Sequence, residues 1–246
     1  MVEADYRETL NTLHDALRVA QIALFRQQLK VIIVIEGFDA AGKGGVIREL
    51  SYAWDPRGFR VYPIGPPSSE EAAQPFLWRF WQRLPMPGQI AIFDRSWYGR
   101  LLVETVEHGL SSAQYDASVT EINQFESMLQ ANGFQLVKLF LNISKDTQRK
   151  RLHRRAERPD KRWKLTVADL DSHALWDAYD QAVHRMIDCC AVAPWVMIDA
   201  NDKKAGRVAA LQAVLSVIQA HEKPRTFASN GSWSGIWMLH EVEDGT

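Results

Sequence analysis

The stretch GFDAAGKGGV, residues 37 to 46, contains residue types that bind phosphate. Gly37, Gly42 and Lys43 have the spacing G-x-x-x-x-G-K, and the apolar run VIIVI lies shortly before them. In this motif the glycines let backbone N–H groups converge on phosphate oxygens, while the lysine and the start of the following helix supply positive charge. We therefore predict a phosphate-binding loop between a strand and a helix, in which these residues lie beside the phosphate: Gly37, Ala40, Ala41, Gly42, Gly44 and Gly45.

This loop departs from the usual pattern at two positions. Gly44 stands where a Ser or Thr hydroxyl commonly binds magnesium, and Asp39 places a negative charge in a site for anions. A divalent cation between the Asp39 carboxylate and the phosphate would account for both departures. Two roles for Asp39 remain open, because it could bind the metal itself or orient the attacking phosphate.

A second carboxylate lies in the stretch IAIFDRSWYGR. Asp94 directly follows an apolar run, which is typical of the carboxylate that holds magnesium in phosphate-loop proteins. Arg95 and Arg100 could each grip anionic oxygens with two N–H groups. The alternative is an aspartate that caps the next turn, with Arg95 in a structural ion pair. The segment SWY between the arginines could line the pocket or pack in the interior.

Residues 149 to 164, RKRLHRRAERPDKRWK, concentrate positive charge on a chain whose net charge is −1. They hold nine of the 29 basic residues against two acids, Glu157 and Asp160. Nine cations exceed the need of one triphosphate, whereas a long polyanion could use them all. A nucleic-acid groove or a solvated basic helix would have the same composition, so these alternatives stay open.

The predicted shape of this basic segment is a helical lid over about residues 145 to 185. Ser144 could cap a helix that Pro159 ends, and Thr166 with Asp169 indicates the start of a returning helix. In phosphoryl-transfer enzymes such a lid closes over phosphates and excludes water. Trp163 could stack on a base or anchor the lid.

Five apolar runs predict the strands that position these residues, at 31–35, 59–64, 89–93, 134–141 and 195–200. Such uninterrupted runs suit strands that are covered on both faces. Helical patterns occupy 3–29, 43–54, 68–84, 114–132 and 202–221, and Ser68 with Glu71 forms a capping-box pattern. The alternation predicts a three-layer α/β/α fold with a mostly parallel sheet, whose ligands lie beyond the carboxyl ends of the strands.

Composition and net charge limit the kinds of protein and partner that fit this sequence. The 246 residues, 46% of them hydrophobic, suit one domain over 1–246 with a tail at 222–246. A net charge of −1 gives no general reason to expect DNA or a membrane as partner. Cys189 and Cys190 are adjacent and poorly placed to bridge each other, so we expect buried, reduced thiols in a cytoplasmic protein without a signal peptide or membrane helix. Trp233 and Trp237 suggest that the tail docks on the body or on another subunit.

Several motifs together resemble the polyphosphate kinase 2 family over about residues 5 to 220. They are EGFDAAGKGG, WDPRGFRVYPIGPPSSEE, FLWRFWQRLP, FDRSWYGR, RPDKRWKLT and VADLDSHALWDAYDQA. The resemblance implies a phosphate-loop (P-loop) kinase fold like that of thymidylate kinase. It also implies reversible, magnesium-dependent phosphate transfer between inorganic polyphosphate and nucleotides, with manganese as a substitute for magnesium.

Carried over residue by residue, the resemblance implies a catalytic core of Asp39, Lys43, Asp94 and Arg95, in which the two carboxylates bind the metal. The lid cations would grip polyphosphate: Arg154, Arg155, Arg158, Lys161, Arg162 and Lys164. The stretches DPRGFRVYPI and FLWRFWQRLP look like the AMP-phosphorylating subfamily, so AMP is the expected acceptor. ADP would be a second acceptor, and ATP a product or a reverse substrate. We expect a homo-oligomer, a dimer or a tetramer.

Two rival functions remain at this stage. An ATP-dependent nucleoside monophosphate kinase would share the loop, the Asp-Arg pair and the basic lid. A nucleic-acid-binding protein would use the basic segment alone, and it would leave Asp39 and Asp94 without a role.

Overall fold

Five parallel strands form the central sheet in the computed structural model, which describes residues 3–162, 173–220, 227–229 and 239–241. The strands are β1 (Lys30–Gly37), β2 (Phe59–Pro63), β3 (Ile90–Asp94), β4 (Phe134–Asn142) and β5 (Trp195–Asp199). Their order in the sheet is β2-β3-β1-β4-β5, and every neighbouring pair is parallel. All five predicted strands are confirmed. Two short strands, β6 (Phe227–Ser229) and β7 (Leu239–Glu241), pair antiparallel in the tail.

The helices of the described residues connect these strands. They are α1 (Glu3–Arg26), α2 (Lys43–Ala53), α3 (Ser69–Ala72), α4 (Trp78–Trp81), α5 (Val103–His108), α6 (Ser112–Ala131), α7 (Lys145–Glu157), α8 (Pro159–Arg162), α9 (Trp176–Cys189) and α10 (Lys203–Ala220). None of these helices is both long and apolar enough to cross a membrane. The predicted start of the returning lid helix at Thr166, the lid residue Trp163, and the tail residues Trp233 and Trp237 lie outside the described residues.

Two predictions of the sequence are wrong in detail. The single helix predicted over 68–84 is two one-turn helices, α3 and α4. Pro75 lies between them, and proline both lacks an N–H donor and disfavours helical backbone in the residue before it. The predicted capping box of Ser68 and Glu71 is present.

Cys190 is buried as expected, but Cys189 is exposed at the last turn of α9, and neither thiol forms a disulfide.

The core lies on both faces of the sheet because its central strands are apolar on both sides. The side chains of Val31 through Ile35 in β1 are completely buried. In β4, Lys138 contacts α6, whereas Leu141 lines a small pocket with residues of α2 and α10. Residues an odd number of positions apart in a strand point to opposite faces, so α6 covers one face while α2 and α10 cover the other. This arrangement confirms the predicted three-layer α/β/α fold.

Candidate active site

The phosphate loop connects the carboxyl end of β1 to the first residue of α2. Its backbone has positive φ angles at Gly37 (146°), Ala40 (64°) and Gly42 (117°). A Cβ atom on Gly37 would lie 2.5 Å from the carbonyl oxygen of Leu141, so only glycine fits there. Ala40 adopts a left-handed conformation that costs a residue with a Cβ about 1–2 kcal/mol. The strand, loop and helix order that the motif predicts is confirmed.

Lys43 holds its charge inside this loop. Its Nζ atom donates hydrogen bonds to the carbonyl oxygens of Gly37 (2.7 Å) and Phe38 (3.3 Å) and lies 3.9 Å from a carboxylate oxygen of Asp39. The side chain is only 11% exposed. Burial lowers the pKa of Lys43, and the carboxylates of Asp39 and Asp94 oppose that change. The loop therefore contains a cation in a fixed position.

The second predicted motif lies beside the loop because β1 and β3 are neighbours. Asp94, the last residue of β3, pairs in register with Ile35 of β1. The guanidinium of Arg95 donates a hydrogen bond of 2.8 Å to Asp39. Burial alone would lower the pKa of Arg95, but Asp39 and the other nearby carboxylates outweigh it, so that this pKa is raised. The sheet thus places all four predicted catalytic residues at the carboxyl ends of two adjacent strands.

A buried carboxylate that the motifs did not identify ties the two segments together. Glu36 is 4% exposed, and the Ser96 hydroxyl donates a 2.8 Å hydrogen bond to it. Burial raises the pKa of Glu36, while Lys43 and Ser96 oppose this increase. The backbone N–H of Arg95 also donates to the carbonyl of Ile35 (3.1 Å). A charged residue at the end of the apolar run VIIVIE was the only signal of this contact in the sequence.

A completely buried ion pair supports the turn after Arg95. Lys138 of β4 donates to Glu126 of α6 (2.8 Å), to the Tyr98 hydroxyl oxygen (2.8 Å) and to the carbonyl of Cys190 (2.9 Å). Tyr98 and Trp97 in turn donate to the other Glu126 oxygen, at 2.6 and 3.2 Å. Burial lowers the pKa of Lys138 and raises that of Tyr98. The aromatic residues of SWY therefore pack in the interior.

Arg100 has protein partners in this structure. Its guanidinium forms an ion pair with Glu104 of α5, its Nε atom donates to the Ser118 hydroxyl of α6 (3.3 Å), and it lies over the ring of Phe76. The role of Arg100 in anion binding stays a prediction.

The lid begins as predicted and presents cations on its surface. The Ser144 hydroxyl accepts a hydrogen bond from the N–H of Thr147, which caps α7. Arg154 is exposed and Arg155 is half-buried. Arg158 pairs with Asp160 at 2.8 Å, and Arg162 donates to the carbonyl of Ala156 at 2.9 Å. The side chain of Lys161 and all of Lys164 lie outside the described residues.

One of the nine basic residues does not belong to the predicted polyanion surface. Arg151 is 8% exposed and points inward, where it donates to backbone carbonyls. The hypothesis that a polyanion uses all nine cations is therefore wrong for Arg151. Its neighbours on the buried face of α7 are Gln148 and Leu152, so the helical period sets its direction.

The returning lid helix α9 closes against the phosphate loop. Trp176 stacks on Phe38 of the loop, with ring centroids 4.0 Å apart and an interplanar angle of 19°. Tyr179 donates a 2.6 Å hydrogen bond to Glu107, the last but one residue of α5. α9 therefore contacts the phosphate loop through Trp176 and the neighbouring helix α5 through Tyr179.

The two carboxylates of the site suit a metal ion whose remaining ligands are substrate phosphates and water. Among the residues that the structure describes, no group of three or more His, Cys, Asp or Glu side chains could hold a metal ion. Magnesium commonly binds one or two protein carboxylates together with substrate phosphates and water. Asp39 and Asp94 fit that donor set.

Comparison with known proteins points to one family. The sequence model of the family described as polyphosphate kinase 2 matches residues 1–226. The chain is 45% identical over 201 residues to the polyphosphate:AMP phosphotransferase of Pseudomonas aeruginosa, covering 81% of this chain and 40% of that protein. It is 39% identical to the AMP/ADP-polyphosphate phosphotransferase of Meiothermus ruber, over 79% of this chain and 74% of that protein.

A solved structure agrees with this similarity. The polyphosphate kinase 2 of Arthrobacter aurescens superposes with a TM-score of 0.86 at 33% identity, over 89% of this chain and 80% of that one. The chain spans less than half the length of the first curated relatives, which are named polyphosphate:AMP phosphotransferases.

Proposed function

The chain belongs to the polyphosphate kinase 2 family, and from that premise we propose that it transfers the terminal phosphoryl group of inorganic polyphosphate to AMP. ADP is the product, and ADP serves as a second acceptor that gives ATP in a reversible reaction. One observation carries the proposal, namely that Lys43, Asp39 and Arg95 meet at the carboxyl end of β1 with Asp94 beside them. These charges are those that phosphoryl transfer requires.

The transfer needs little covalent chemistry from the protein. An oxygen of the AMP phosphate forms a bond to the terminal phosphorus of polyphosphate, and the bond from that phosphorus to the next phosphate breaks. The leaving chain is one phosphate shorter. Lys43 and Arg95 stabilise the negative charge that develops during this exchange, and the N-terminus of α2 adds its partial positive charge.

Magnesium is the metal that we propose for this site. Asp39 and Asp94 would hold it, and the ion would neutralise the charge of the phosphate oxygens. Arg95 contributes independently by pairing with Asp39, which fixes the direction of this carboxylate.

The donor side of the site is proposed to include the lid. Arg154, Arg155, Arg158 and Arg162 lie on α7, α8 and the residue between them, and they are exposed or half-buried. Side chains of this kind can follow a flexible polyanion through charge-assisted hydrogen bonds. We assign this surface to inorganic polyphosphate and not to nucleic acid.

Two similarities support AMP as the first acceptor. The chain is 45% and 44% identical to two Pseudomonas proteins named polyphosphate:AMP phosphotransferase. Its identity to the Pseudomonas aeruginosa protein named ADP-polyphosphate phosphotransferase is lower, at 38%.

We also propose that the protein is a cytoplasmic homo-oligomer. Both cysteines are free thiols, which is usual in a reducing compartment. Val19, Ile22 and Phe25 lie at three-residue spacing along α1 and are 66%, 49% and 63% exposed. An apolar stripe of this kind suits contact with a second copy of the chain.

The decisive experiment supplies purified protein and magnesium with AMP or ADP as acceptor and with polyphosphate or ATP as donor. We expect ADP from AMP and polyphosphate, with slower formation of ATP from ADP. Formation of ADP only when ATP is the donor would instead identify an ATP-dependent nucleoside monophosphate kinase. Omission of magnesium should abolish both polyphosphate reactions.

A further inference from the structure

Arg151 joins the lid to the phosphate loop and to the segment after β5 through four backbone carbonyls. One nitrogen of its guanidinium donates to the carbonyls of Ala40 (3.0 Å) and Ala41 (2.9 Å) in the loop. The other donates to the carbonyls of Ala200 (2.6 Å) and Asn201 (2.9 Å), directly after β5. A single side chain of α7 thus bridges two segments that meet at the carboxyl edge of the sheet.

These contacts control the direction of the loop peptides. In a planar trans peptide the carbonyl and the N–H of the next residue point in opposite directions. By holding the carbonyls of Ala40 and Ala41, Arg151 therefore orients the N–H groups of Ala41 and Gly42. The Ala41 N–H donates to the Phe38 carbonyl (3.1 Å), which closes the turn. The Gly42 N–H points away from the arginine.

The same contacts hold Ala40 in an unfavourable conformation. Its φ of 64° lies in the left-handed region, which residues with a Cβ avoid. Such a conformation persists only where the surroundings determine it. Arg151 is a suitable cause because it grips the carbonyl of Ala40 itself and that of the following residue.

The position of Arg151 in α7 links this support to the exposed cations of the lid. Arg154 and Arg155 follow it by about one helical turn. Burial lowers the pKa of Arg151, and the charges of Arg154 and Arg155 lower it further. Four carbonyl oxygens compensate for the loss of water around the guanidinium.

We propose that Arg151 is a positioning residue that keeps the phosphate loop in its phosphate-binding conformation and couples it to the stem of the lid. This inference rests on the proposed function for its effect on turnover, but the effect on the loop itself does not depend on the substrate. A lysine has one nitrogen, so it cannot reproduce a planar fork that bridges four carbonyls.

The test compares Arg151→Lys with wild type and with Arg185→Lys as a matched control. Arg185 lies on α9, pairs with Asp116 and is 46% exposed, so the same chemical change there does not touch the loop. Hydrogen exchange of a peptide covering residues 37–46 is measured together with the melting temperature, kcat, and KM for each substrate. We expect Arg151→Lys to accelerate exchange in the loop by about tenfold or more, while the control leaves it unchanged.

Kinetics separate positioning from simple structural support. Arg151→Lys should lower kcat by about 10- to 100-fold and raise KM for polyphosphate several-fold, with KM for AMP within about twofold, because small misplacements of a phosphate site are costly. A variant that only melts earlier, with wild-type loop exchange and wild-type KM for polyphosphate, would overturn the proposal. If wild type does not use polyphosphate, the proposed function fails, and the exchange result alone decides the role of Arg151.

A rescue variant tests the conformational cause. Glycine adopts positive φ without cost, so adding Ala40→Gly to Arg151→Lys should restore part of the lost kcat. Absence of rescue, together with unchanged exchange in the single variant, contradicts the proposal. If Arg151→Lys does not fold, Ala40→Gly alone is compared with wild type. An intact Arg151 should hold loop exchange within about twofold, and a tenfold increase would overturn the proposal.

Discussion

The phosphate loop and the lid both carry positive charge, but they hold it in different ways. Lys43 is 11% exposed and fixed by two carbonyls of its own loop. The side chain of Arg95 is 49% exposed, but it is paired with Asp39 across two strands. Arg154 and Arg158 of the lid are exposed, and Arg158 pairs with Asp160, two residues away. Charges held by the phosphate loop and the strand ends suit a transition state of one geometry, whereas charges along an exposed helical surface suit a polyanion of variable length.

The largest expected effect is the loss of kcat when a charge of the phosphate loop is removed. Lys43→Met removes the cation from the loop but keeps a side chain of similar length, so we expect kcat to fall by about 10⁴-fold. Turnover of polyphosphate and AMP measures this change. Lys30→Met is the control, because Lys30 contacts the carbonyl of Asn132 at the opposite end of β1. A loss of less than about tenfold in Lys43→Met would contradict the assignment of a catalytic charge.

The buried ion pair below the catalytic turn gives the next largest effect, on stability. Lys138→Met leaves Glu126 buried without its cation, so we expect the free energy of unfolding to fall by about 3–5 kcal/mol. Urea denaturation measures the loss. The double variant Lys138→Met with Glu126→Leu should recover part of it, since no uncompensated charge remains. A single variant as stable as wild type would show that this pair does not support the turn.

Asp39→Asn tests the carboxylate of the loop. It keeps the size of the side chain but removes the charge that pairs with Arg95 and is proposed to hold magnesium. We expect kcat to fall by about 10²- to 10³-fold. If Asp39 binds the metal, the magnesium concentration required for half-maximal rate should rise, whereas an orienting role would leave it unchanged. Near-normal kcat would exclude both roles.

The positions of the phosphate-loop residues and of Asp94 could be predicted from the sequence because they depend on the main chain. Backbone geometry requires glycine at positions 37 and 42, and an apolar strand must precede this loop. The motif therefore predicts the strand, and the apolar run in turn supports the motif. Asp94 was found because it directly follows an apolar run, and the structure places the end of that strand beside β1. The parallel sheet followed from the alternation of strands and helices, whereas the order of its strands was not predicted. The helix break at Pro75 was missed within a continuous helical pattern.

The supporting residues could not be predicted from the sequence. Among nine clustered cations nothing distinguishes Arg151, because only the packing of α7 decides which of them faces inward. Glu126 and Lys138 likewise look like ordinary surface charges on a helix and a strand. They are partners only because α6 folds onto β4 and removes both side chains from water. Side-chain chemistry in the interior depends on tertiary structure, which local patterns do not contain.

Removal of one lid charge should have a moderate effect that falls on binding. Arg154→Gln is expected to raise KM for polyphosphate about three- to tenfold with kcat nearly unchanged, because one exposed charge-assisted contact is lost. KM should also rise with salt in wild type, and less steeply in the variant. Tight, salt-sensitive binding of RNA that persists in Asp39→Asn would favour the nucleic-acid alternative.

The smallest effect separates the two regions most sharply, because it uses the same substitution in both. Arg158→Lys keeps the charge of an exposed lid residue whose ion pair lies within its own segment. A flexible ammonium can replace the guanidinium as a point charge, so we expect KM for polyphosphate to rise by only about two- to threefold. Arg95→Lys should lower kcat by at least about tenfold, since lysine cannot keep both the 2.8 Å contact to Asp39 and the planar fork for a phosphate oxygen. Equal losses of kcat/KM for polyphosphate in the two variants would mean that the lid charge is as firmly positioned as the loop charge.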